Sequence, residues 1–129
     1  MKFLVTGSAG LVGSQVVKDL TKQNHTVYSC YHDEKPSHGT SIQLDITDQD
    51  KIIQILQEIK PDRIIHLAAM TNVDQCETQQ ELAILLNAKS TEILAKQAAK
   101  QNAFFVYVST DYVFDGIKGM KKEDDSTNP

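Results

Sequence analysis

The chain has no excess of basic residues and no long apolar run. Its 129 residues carry a formal net charge of −4, so the sequence lacks the electrostatic footprint of a nucleic-acid-binding protein. No apolar run approaches the roughly 20 residues that span a bilayer. The N-terminal apolar stretch leads directly into a glycine turn, unlike that of a secretory signal peptide. We therefore expect neither a nucleic acid nor a membrane as a partner.

Cysteine and histidine are sparse. The two cysteines, Cys30 and Cys76, come without a secretory signal, which favours reduced thiols in a cytoplasmic protein. The four histidines are scattered along the chain, and no cysteine or histidine spacing is typical of zinc ligands. The sequence therefore predicts no metal site. The hydrophobic content of 40% is enough for the core of one domain.

The most informative stretch lies within the first thirteen residues. Lys2–Thr6 predicts a short buried strand, and Gly7, Gly10 and Gly13 follow at a spacing of three. A helix begins inside the glycine stretch, because apolar residues recur at helical intervals and so form its apolar face: Leu11, Val12, Val16, Val17 and Leu20. A strand, a glycine turn and a helix in this order indicate a phosphate site, because the helix N-terminus presents unpaired N–H groups to an anion. A purely structural glycine turn is the alternative. No Gly-Lys-Ser or Gly-Lys-Thr follows, so the turn is not a P-loop.

The rest of the chain alternates strands with helices. The sequence predicts further strands at 26–31, 41–44, 63–69 and 103–109, helices at 48–60 and 79–100, and a loop at 71–77. The strands are apolar on both faces, which indicates a parallel sheet covered on both sides. We predict an α/β fold, a doubly wound parallel sheet in the order 3-2-1-4-5, with ligands at the carboxyl ends of the strands.

Those strand exits carry motifs that resemble the extended short-chain dehydrogenases/reductases. Thr6–Gly13 (TGSAGLVG) resembles their TGxxGxxG turn, Leu44–Ile46 their adenine-contacting aspartate, and His66–Glu77 their Ala-rich loop after strand four. Ser109–Gly116 (STDYVFDG) is similar to the dTDP-4-dehydrorhamnose reductase branch, which uses NADPH in the last step of dTDP-L-rhamnose synthesis. The resemblance covers the whole chain and identifies it as the N-terminal, cofactor-binding part of such a protein.

The resemblance implies a cofactor role for a set of residues at these exits. The pyrophosphate would contact Gly7, Gly10, Leu11, Val12 and Gly13. The adenine end would contact His32, Asp45 and Ile46. The ribose and nicotinamide side would be lined by Leu67, Ala68, Ala69 and Ser109. We accordingly expect an NADP(H)-binding Rossmann-like domain over residues 1–115. A polar tail over 116–129 would begin a substrate part and would have too little apolar surface to order itself.

The resemblance also places the chemistry at Thr110. Thr110 would be the hydroxyl member of a Thr/Ser–Tyr–Lys triad and would hydrogen-bond the carbonyl oxygen of a nucleotide-sugar substrate, with Asp111 and Tyr112 shaping the pocket floor. A hydroxyl beside that carbonyl can stabilise the developing alkoxide. The alternative for Thr110 is a cap of the turn that follows the strand.

The cofactor preference depends on the end of the second strand. An NAD-preferring site usually has an acid there, which binds both ribose hydroxyls. Here the position holds Cys30, Tyr31 and His32, with Lys35 nearby. An uncharged strand end leaves room for a 2′-phosphate, so we favour NADP(H), with NAD(H) as the alternative.

A Tyr-x-x-x-Lys pair on a helix would complete the family's chemistry. The tyrosine delivers the proton, and the lysine lowers the pKa of that tyrosine. The one such spacing in the sequence is Tyr31 to Lys35, in a predicted loop where Pro36 disfavours helical geometry for Lys35. The Thr127–Pro129 turn resembles the segment just before the catalytic helix. We therefore expect the pair in the residues that would follow, before a sixth strand, and we expect the 129-residue chain alone to be inactive.

Three functions stay open from the sequence. The first is an NADP(H)-dependent reductase of a 4-keto-6-deoxy sugar nucleotide, represented by its cofactor half. The second is a non-catalytic NADP-binding regulatory subunit that resembles the beta subunit of methionine adenosyltransferase, and the third is a related sugar-nucleotide epimerase or dehydratase. In the isolated 129-residue chain the apolar fifth strand would lie at an edge, so we also expect a homodimer or other self-association.

Overall fold

Five parallel strands form one sheet in the computed structural model, which describes residues 1–128. Their order is β3-β2-β1-β4-β5. The strands are β1 Lys2–Thr6, β2 Thr26–Tyr31, β3 Thr40–Gln43, β4 Arg63–His66 and β5 Phe104–Tyr107. This topology confirms the predicted doubly wound α/β fold. The predicted Thr127–Pro129 turn falls partly outside the described residues, because it ends at Pro129.

The helices connect the strands on both faces of the sheet. They are α1 Leu11–Lys22, α2 Gln49–Ile59, α3 Val73–Thr78, α4 Gln80–Ile84 and α5 Ser90–Lys100, with a π-helical segment at Leu85–Lys89 and a 3₁₀ turn at Asp111–Val113. The helix predicted over 79–100 is thus interrupted by a π turn. The loop predicted over 71–77 is wrong, because the side chain of Asn72 accepts a hydrogen bond from the Gln75 amide (2.9 Å) and caps α3.

Each face of the sheet has its own core. On one face, buried residues of β1, β2 and β4 pack with α2 and α5, and Leu4, Ile52, Ile64 and Leu94 are almost fully buried. On the other face, Phe3, Val5 and Val27 pack against Val17 of α1. The two cores explain why the inner strands are apolar on both sides.

The helix ends follow from local sequence. The Asp48 carboxylate accepts the Lys51 amide at 2.9 Å and caps α2, as predicted. Lys60 then adopts a left-handed conformation (φ 48°) that ends the helix before Pro61. These caps set the length of α2 and so fix where the chain enters β4.

The outer part of the sheet is open. β5 is an edge strand, and Phe104 and Val106 on its α1-side face are 59% and 37% exposed. Residues 116–128 form neither helix nor strand. No helix within the described residues is long and apolar enough to cross a membrane.

Candidate functional site

A cleft of about 590 Å³ opens at the carboxyl ends of the strands. This is the edge of a doubly wound sheet where ligands bind. The cleft brings together predicted site residues from four strand exits. They are Gly7, Gly10, His32, Asp45, Ile46, Leu67, Ala68 and Ala69.

The glycine turn presents bare backbone to this cleft. Gly7 has φ 67°, and a Cβ on it would come within 2.8 Å of the Ala68 amide nitrogen. Gly10 is the N-cap of α1 and provides no side-chain cap, and the first turn of α1 contains no acidic residue. The N–H groups of that turn are therefore open to an anion.

The first turn of α1 differs from the sequence-based interpretation in one respect. The periodicity placed Leu11 and Val12 on the apolar face of the helix, but their side chains are 93% and 59% exposed. Gly13 and Val17 are the residues of α1 that are buried against the sheet. Leu11 and Val12 can thus contribute backbone N–H groups to an anion without filling the space above the turn.

The hydroxyl of Thr6 holds the floor of the cleft. Thr6 Oγ1 accepts the amide N–H groups of Leu67 and Ala68, each at 3.2 Å. Its own hydrogen is donated to His66 Nδ1 at 2.6 Å. One buried side chain therefore fixes the loop after β4 against the glycine turn after β1.

His66 carries this network deeper into the protein. Because Thr91 Oγ1 gives its own hydrogen to a backbone carbonyl, it accepts from His66 Nε2 at 3.0 Å, so the ring proton is on Nε2 and Nδ1 accepts from Thr6. Thr91 Oγ1 in turn donates to the carbonyl oxygen of Asn87 at 2.8 Å. Burial lowers the pKa of His66 to about 4, so the imidazole is neutral at pH 7 and satisfies both partners.

The loop after β4 has a second anchor on the π-helical segment. Asn87 Oδ1 accepts the Met70 amide at 2.8 Å, and Asn87 Nδ2 donates to the Met70 carbonyl at 2.9 Å. The π turn directs Asn87 toward this loop, and such turns are frequent at functional sites. Residues 67–70 are thus held from both sides.

The opposite end of the cleft is polar. The Asp45 carboxylate accepts the amide and hydroxyl of Thr47, each at 2.8 Å, and these bonds lower the pKa of Asp45. The hydrogen bond and charge of Asp33 raise the pKa of His32, whose Nε2 lies 3.8 Å from Asp45 Oδ2. This end therefore offers an anionic acceptor and a titratable ring.

The segment predicted to carry the chemistry lies outside the cleft lining. The Val108 amide donates a hydrogen bond to the His66 carbonyl oxygen at 3.4 Å. Ser109 and Thr110 therefore follow beside the end of β4. Thr110 Oγ1 accepts the Tyr112 amide at 3.2 Å and caps the 3₁₀ turn, the arrangement expected of a structural cap. Tyr112 is 70% exposed. The structure does not place this segment in the lining of the cleft, and its residues remain predicted site residues: Ser109, Thr110, Asp111 and Tyr112.

Several lining residues were not among the predicted site residues. They are Thr6, Cys30, Tyr31, Leu44, Thr47, Leu82 and Leu86. Burial raises the pKa of the Cys30 thiol to about 12, so it acts as a small apolar wall rather than as a nucleophile. Leu82 lies on α4 and Leu86 on the π-helical segment, both within the helix predicted over 79–100.

No group of three or more potential metal ligands occurs within residues 1–128. The cleft instead offers backbone N–H groups, apolar walls and an anionic acceptor. This donor set fits an extended ligand that carries phosphate at one end and a flat ring at the other.

Comparison with known proteins gives a family match over the whole sequence. The family model described as the RmlD substrate binding domain matches residues 1–129. A probable low-salt glycan biosynthesis reductase from Haloferax volcanii is 40% identical over 100% of this chain and 44% of that protein. The methionine adenosyltransferase 2 subunit beta of Xenopus tropicalis is 40% identical over 98% of this chain and 37% of that protein. The chain therefore spans less than half the length of these relatives.

Solved structures show the same fold. A hypothetical dTDP-4-dehydrorhamnose reductase from Sulfolobus tokodaii superposes with a TM-score of 0.94 at 36% identity, over 100% of this chain and 46% of that one. A dTDP-4-dehydrorhamnose reductase from Bacillus anthracis, in complex with NADP, superposes with a TM-score of 0.85 at 33% identity. The match covers 99% of this chain and 43% of that one.

Proposed function

The chain belongs to the family described as the RmlD substrate binding domain, and we propose that it binds NADP(H) as the cofactor half of a reductase. The substrate would be a 4-keto-6-deoxy sugar nucleotide. The observation that carries the proposal is the cleft itself, which gathers eight predicted cofactor residues at one edge of the sheet.

The residues of the cleft fit a dinucleotide. The open N–H groups of α1 would bind the pyrophosphate, and Asp45 would accept from the adenine amino group while Ile46 contacts its ring. The backbone of Leu67–Ala69, fixed by Thr6 and Asn87, would support the ribose and nicotinamide. When bound, the nicotinamide would supply the hydride. Thr110 would orient the substrate carbonyl from the neighbouring strand exit.

Proton delivery needs a group that this chain does not present. Tyr31 is the last residue of β2, and Lys35 lies in the irregular segment before β3, so this pair has no helical geometry. We infer that reduction depends on a Tyr-x-x-x-Lys supplied from outside residues 1–129. The chain alone would bind the cofactor without turnover.

The test is a titration of the chain with NADPH and NADH, monitored by nicotinamide fluorescence, with and without a dTDP-4-keto-6-deoxy sugar. We expect saturable nicotinamide binding and no oxidation of NADPH by the isolated chain. Absence of binding for both nucleotides would contradict the proposed cofactor function. Binding without oxidation, even in a longer polypeptide that carries a Tyr-x-x-x-Lys, would remove the reductase assignment but keep the cofactor site.

A non-catalytic regulatory subunit is the second candidate. It is favoured by the Xenopus tropicalis relative, which is as similar to this chain, at 40% identity, as the Haloferax volcanii reductase. Capture of a methionine adenosyltransferase catalytic subunit by the chain, with no sugar-nucleotide turnover, would support this function over the reductase.

We further propose that the isolated chain self-associates through β5. Phe104 and Val106 lie on an exposed face of this edge strand, and exposed apolar edges pair with other chains. The double substitution Phe104→Thr and Val106→Thr should therefore shift the chain from dimer to monomer in light scattering across a concentration series. Ile117→Thr is the matched control, because Ile117 is 88% exposed but lies outside the strand. A monomer for the unsubstituted chain at high concentration would contradict this proposal.

A further inference from the structure

The imidazole of His66 lies behind the floor of the cleft and does not line it. His66 is 1% exposed, and its ring stacks on the rings of Phe105 and Tyr107, with centroids 6.3 and 5.7 Å away. Because water does not reach this ring, both of its nitrogens must find hydrogen-bond partners within the protein. The two partners lie on opposite sides of His66, one on β1 and one on α5.

On the β1 side, Thr6 can hold two backbone amides of the cleft only if His66 accepts its hydrogen. A hydroxyl has two lone pairs and one hydrogen. Both lone pairs of Thr6 Oγ1 are taken by the amides of Leu67 and Ala68, each at 3.2 Å. The hydrogen goes to His66 Nδ1 at 2.6 Å, so this nitrogen carries no proton. A proton on Nδ1 would be a third donor to the same oxygen, and one of the two amides would lose its partner.

On the α5 side, Thr91 sets the position of the ring proton. Thr91 Oγ1 gives its hydrogen to the Asn87 carbonyl at 2.8 Å and accepts from His66 Nε2 at 3.0 Å. This acceptor holds the proton on Nε2 and so keeps Nδ1 free for the hydroxyl on β1. The side chain of Asn87 also bonds the amide (2.8 Å) and the carbonyl (2.9 Å) of Met70. The hydrogen bonds therefore form a closed circuit around the loop after β4.

This circuit holds the residues to which the proposed function assigns the ribose and nicotinamide. Neither His66 nor Thr91 lines the cleft, so an effect of either side chain on a ligand must pass through the backbone of the loop. Resting on the proposed cofactor function, we propose that His66 is a positioning residue. With its proton on Nε2, as Thr91 imposes, it lets Thr6 hold residues 67–68 in the conformation that receives the nicotinamide half of NADP(H). The adenine half, at the opposite end of the cleft, does not depend on this circuit.

The substitution Thr91→Val tests the proposal without changing His66 or the cleft lining. Valine keeps the shape of threonine but removes the acceptor of the Nε2 proton. We expect the ring proton to move to Nδ1, where it competes with the loop amides for Thr6 Oγ1. Nitrogen-15 NMR of the imidazole distinguishes the two tautomers. Hydrogen exchange at the Ala68 amide should accelerate as well, although Thr91 does not contact that amide. Neither measurement requires a nucleotide.

The expected effect on binding is selective for the nicotinamide half. If the loop adopts its binding conformation in about one tenth of the molecules, the affinity falls about 10-fold. We expect this loss for NADPH in Thr91→Val, measured by isothermal titration, and an unchanged affinity for 2′,5′-ADP, which has no nicotinamide. His66→Phe keeps an aromatic ring but removes both hydrogen bonds, and it should show the same pattern. Thr91→Ser retains the hydroxyl and should behave as the unsubstituted chain.

Thr78→Val is the matched control. The Thr78 hydroxyl also donates to a carbonyl four residues earlier, that of Asp74 at 2.9 Å, but Thr78 is an exposed residue of α3. This variant should leave the tautomer, the exchange rate and both affinities unchanged.

An Nε2 proton that persists in Thr91→Val would overturn the proposal, as would equal losses of NADPH and 2′,5′-ADP affinity, which indicate a general structural role. Failure of the unsubstituted chain to bind either nucleotide is a different result, because it rejects the cofactor function. The tautomer and the exchange of the Ala68 amide would then still decide whether His66 positions the loop.

Discussion

Replacing Gly13 with alanine should abolish the native packing of the glycine turn. A Cβ on Gly13 would overlap the Gly7 carbonyl oxygen and would lie 2.9 Å from both the Gly7 carbonyl carbon and Ser8 Cα. All of these are backbone atoms, so no side-chain rotation can relieve the overlap. We expect the free energy of unfolding to fall by at least about 3 kcal/mol, the upper end of the usual cost of overpacking. Urea unfolding followed by far-UV circular dichroism measures it.

The matched control is Gly119→Ala. A Cβ on Gly119 would meet no atom within 4 Å, and its φ is not positive, so the same chemical change should cost less than about 0.5 kcal/mol. The substitution Gly10→Ala tests binding separately from folding. The added Cβ would lie 3.3 Å from the Gly7 carbonyl oxygen and would meet no other atom within 4 Å. Equal stability of the Gly13→Ala and Gly119→Ala chains would show that α1 can shift away from β1 without cost.

The glycine turn also illustrates how much of the site could be predicted from sequence. The spacing of three, directly after an apolar strand, was sufficient to locate the glycine turn and the start of α1. The same periodicity was wrong for Leu11 and Val12, which it placed on the apolar face although both are exposed. Helical spacing identifies the apolar face of a helix but does not show which of its turns the sheet covers. Strand exits were predicted correctly because parallel strands share one carboxyl edge.

The contacts that hold the cleft together could not be predicted. Thr6 and His66 are 60 residues apart, and their hydrogen bond depends on the register that pairs them across β1 and β4. Asn87 reaches Met70 only because of the π turn, which leaves the hydrophobic pattern of the helix almost unchanged. The cavity of about 200 Å³ between α1 and the segment before β3 depends on the path of that segment, and no periodic pattern encodes that path. Register, local helix geometry and loop path are tertiary properties.

Replacing Thr6 with valine should be the most damaging change of a single hydroxyl. Valine preserves the shape of the side chain, but it removes the acceptor of the Leu67 and Ala68 amides and the donor to His66. Thr6 is fully buried, so water cannot replace the lost partners. We expect the free energy of unfolding to fall by about 2–4 kcal/mol, since each unsatisfied buried group costs on the order of 1–3 kcal/mol. Urea unfolding measures this loss.

Thr21→Val provides the comparison that isolates the buried network. The Thr21 hydroxyl donates at 2.7 Å to the Val17 carbonyl, and because Thr21 itself is exposed, water can replace the lost partner and the loss should cost less than about 1 kcal/mol. Thr6→Ser keeps the hydroxyl and should recover most of the stability lost in Thr6→Val. Hydrogen exchange at the Ala68 amide adds a local readout: it should accelerate in Thr6→Val and not in Thr21→Val, because only the former frees that N–H. Equal losses of stability in the two valine variants would contradict the role assigned to Thr6, and contacts such as those of Asn87 would then hold the loop after β4.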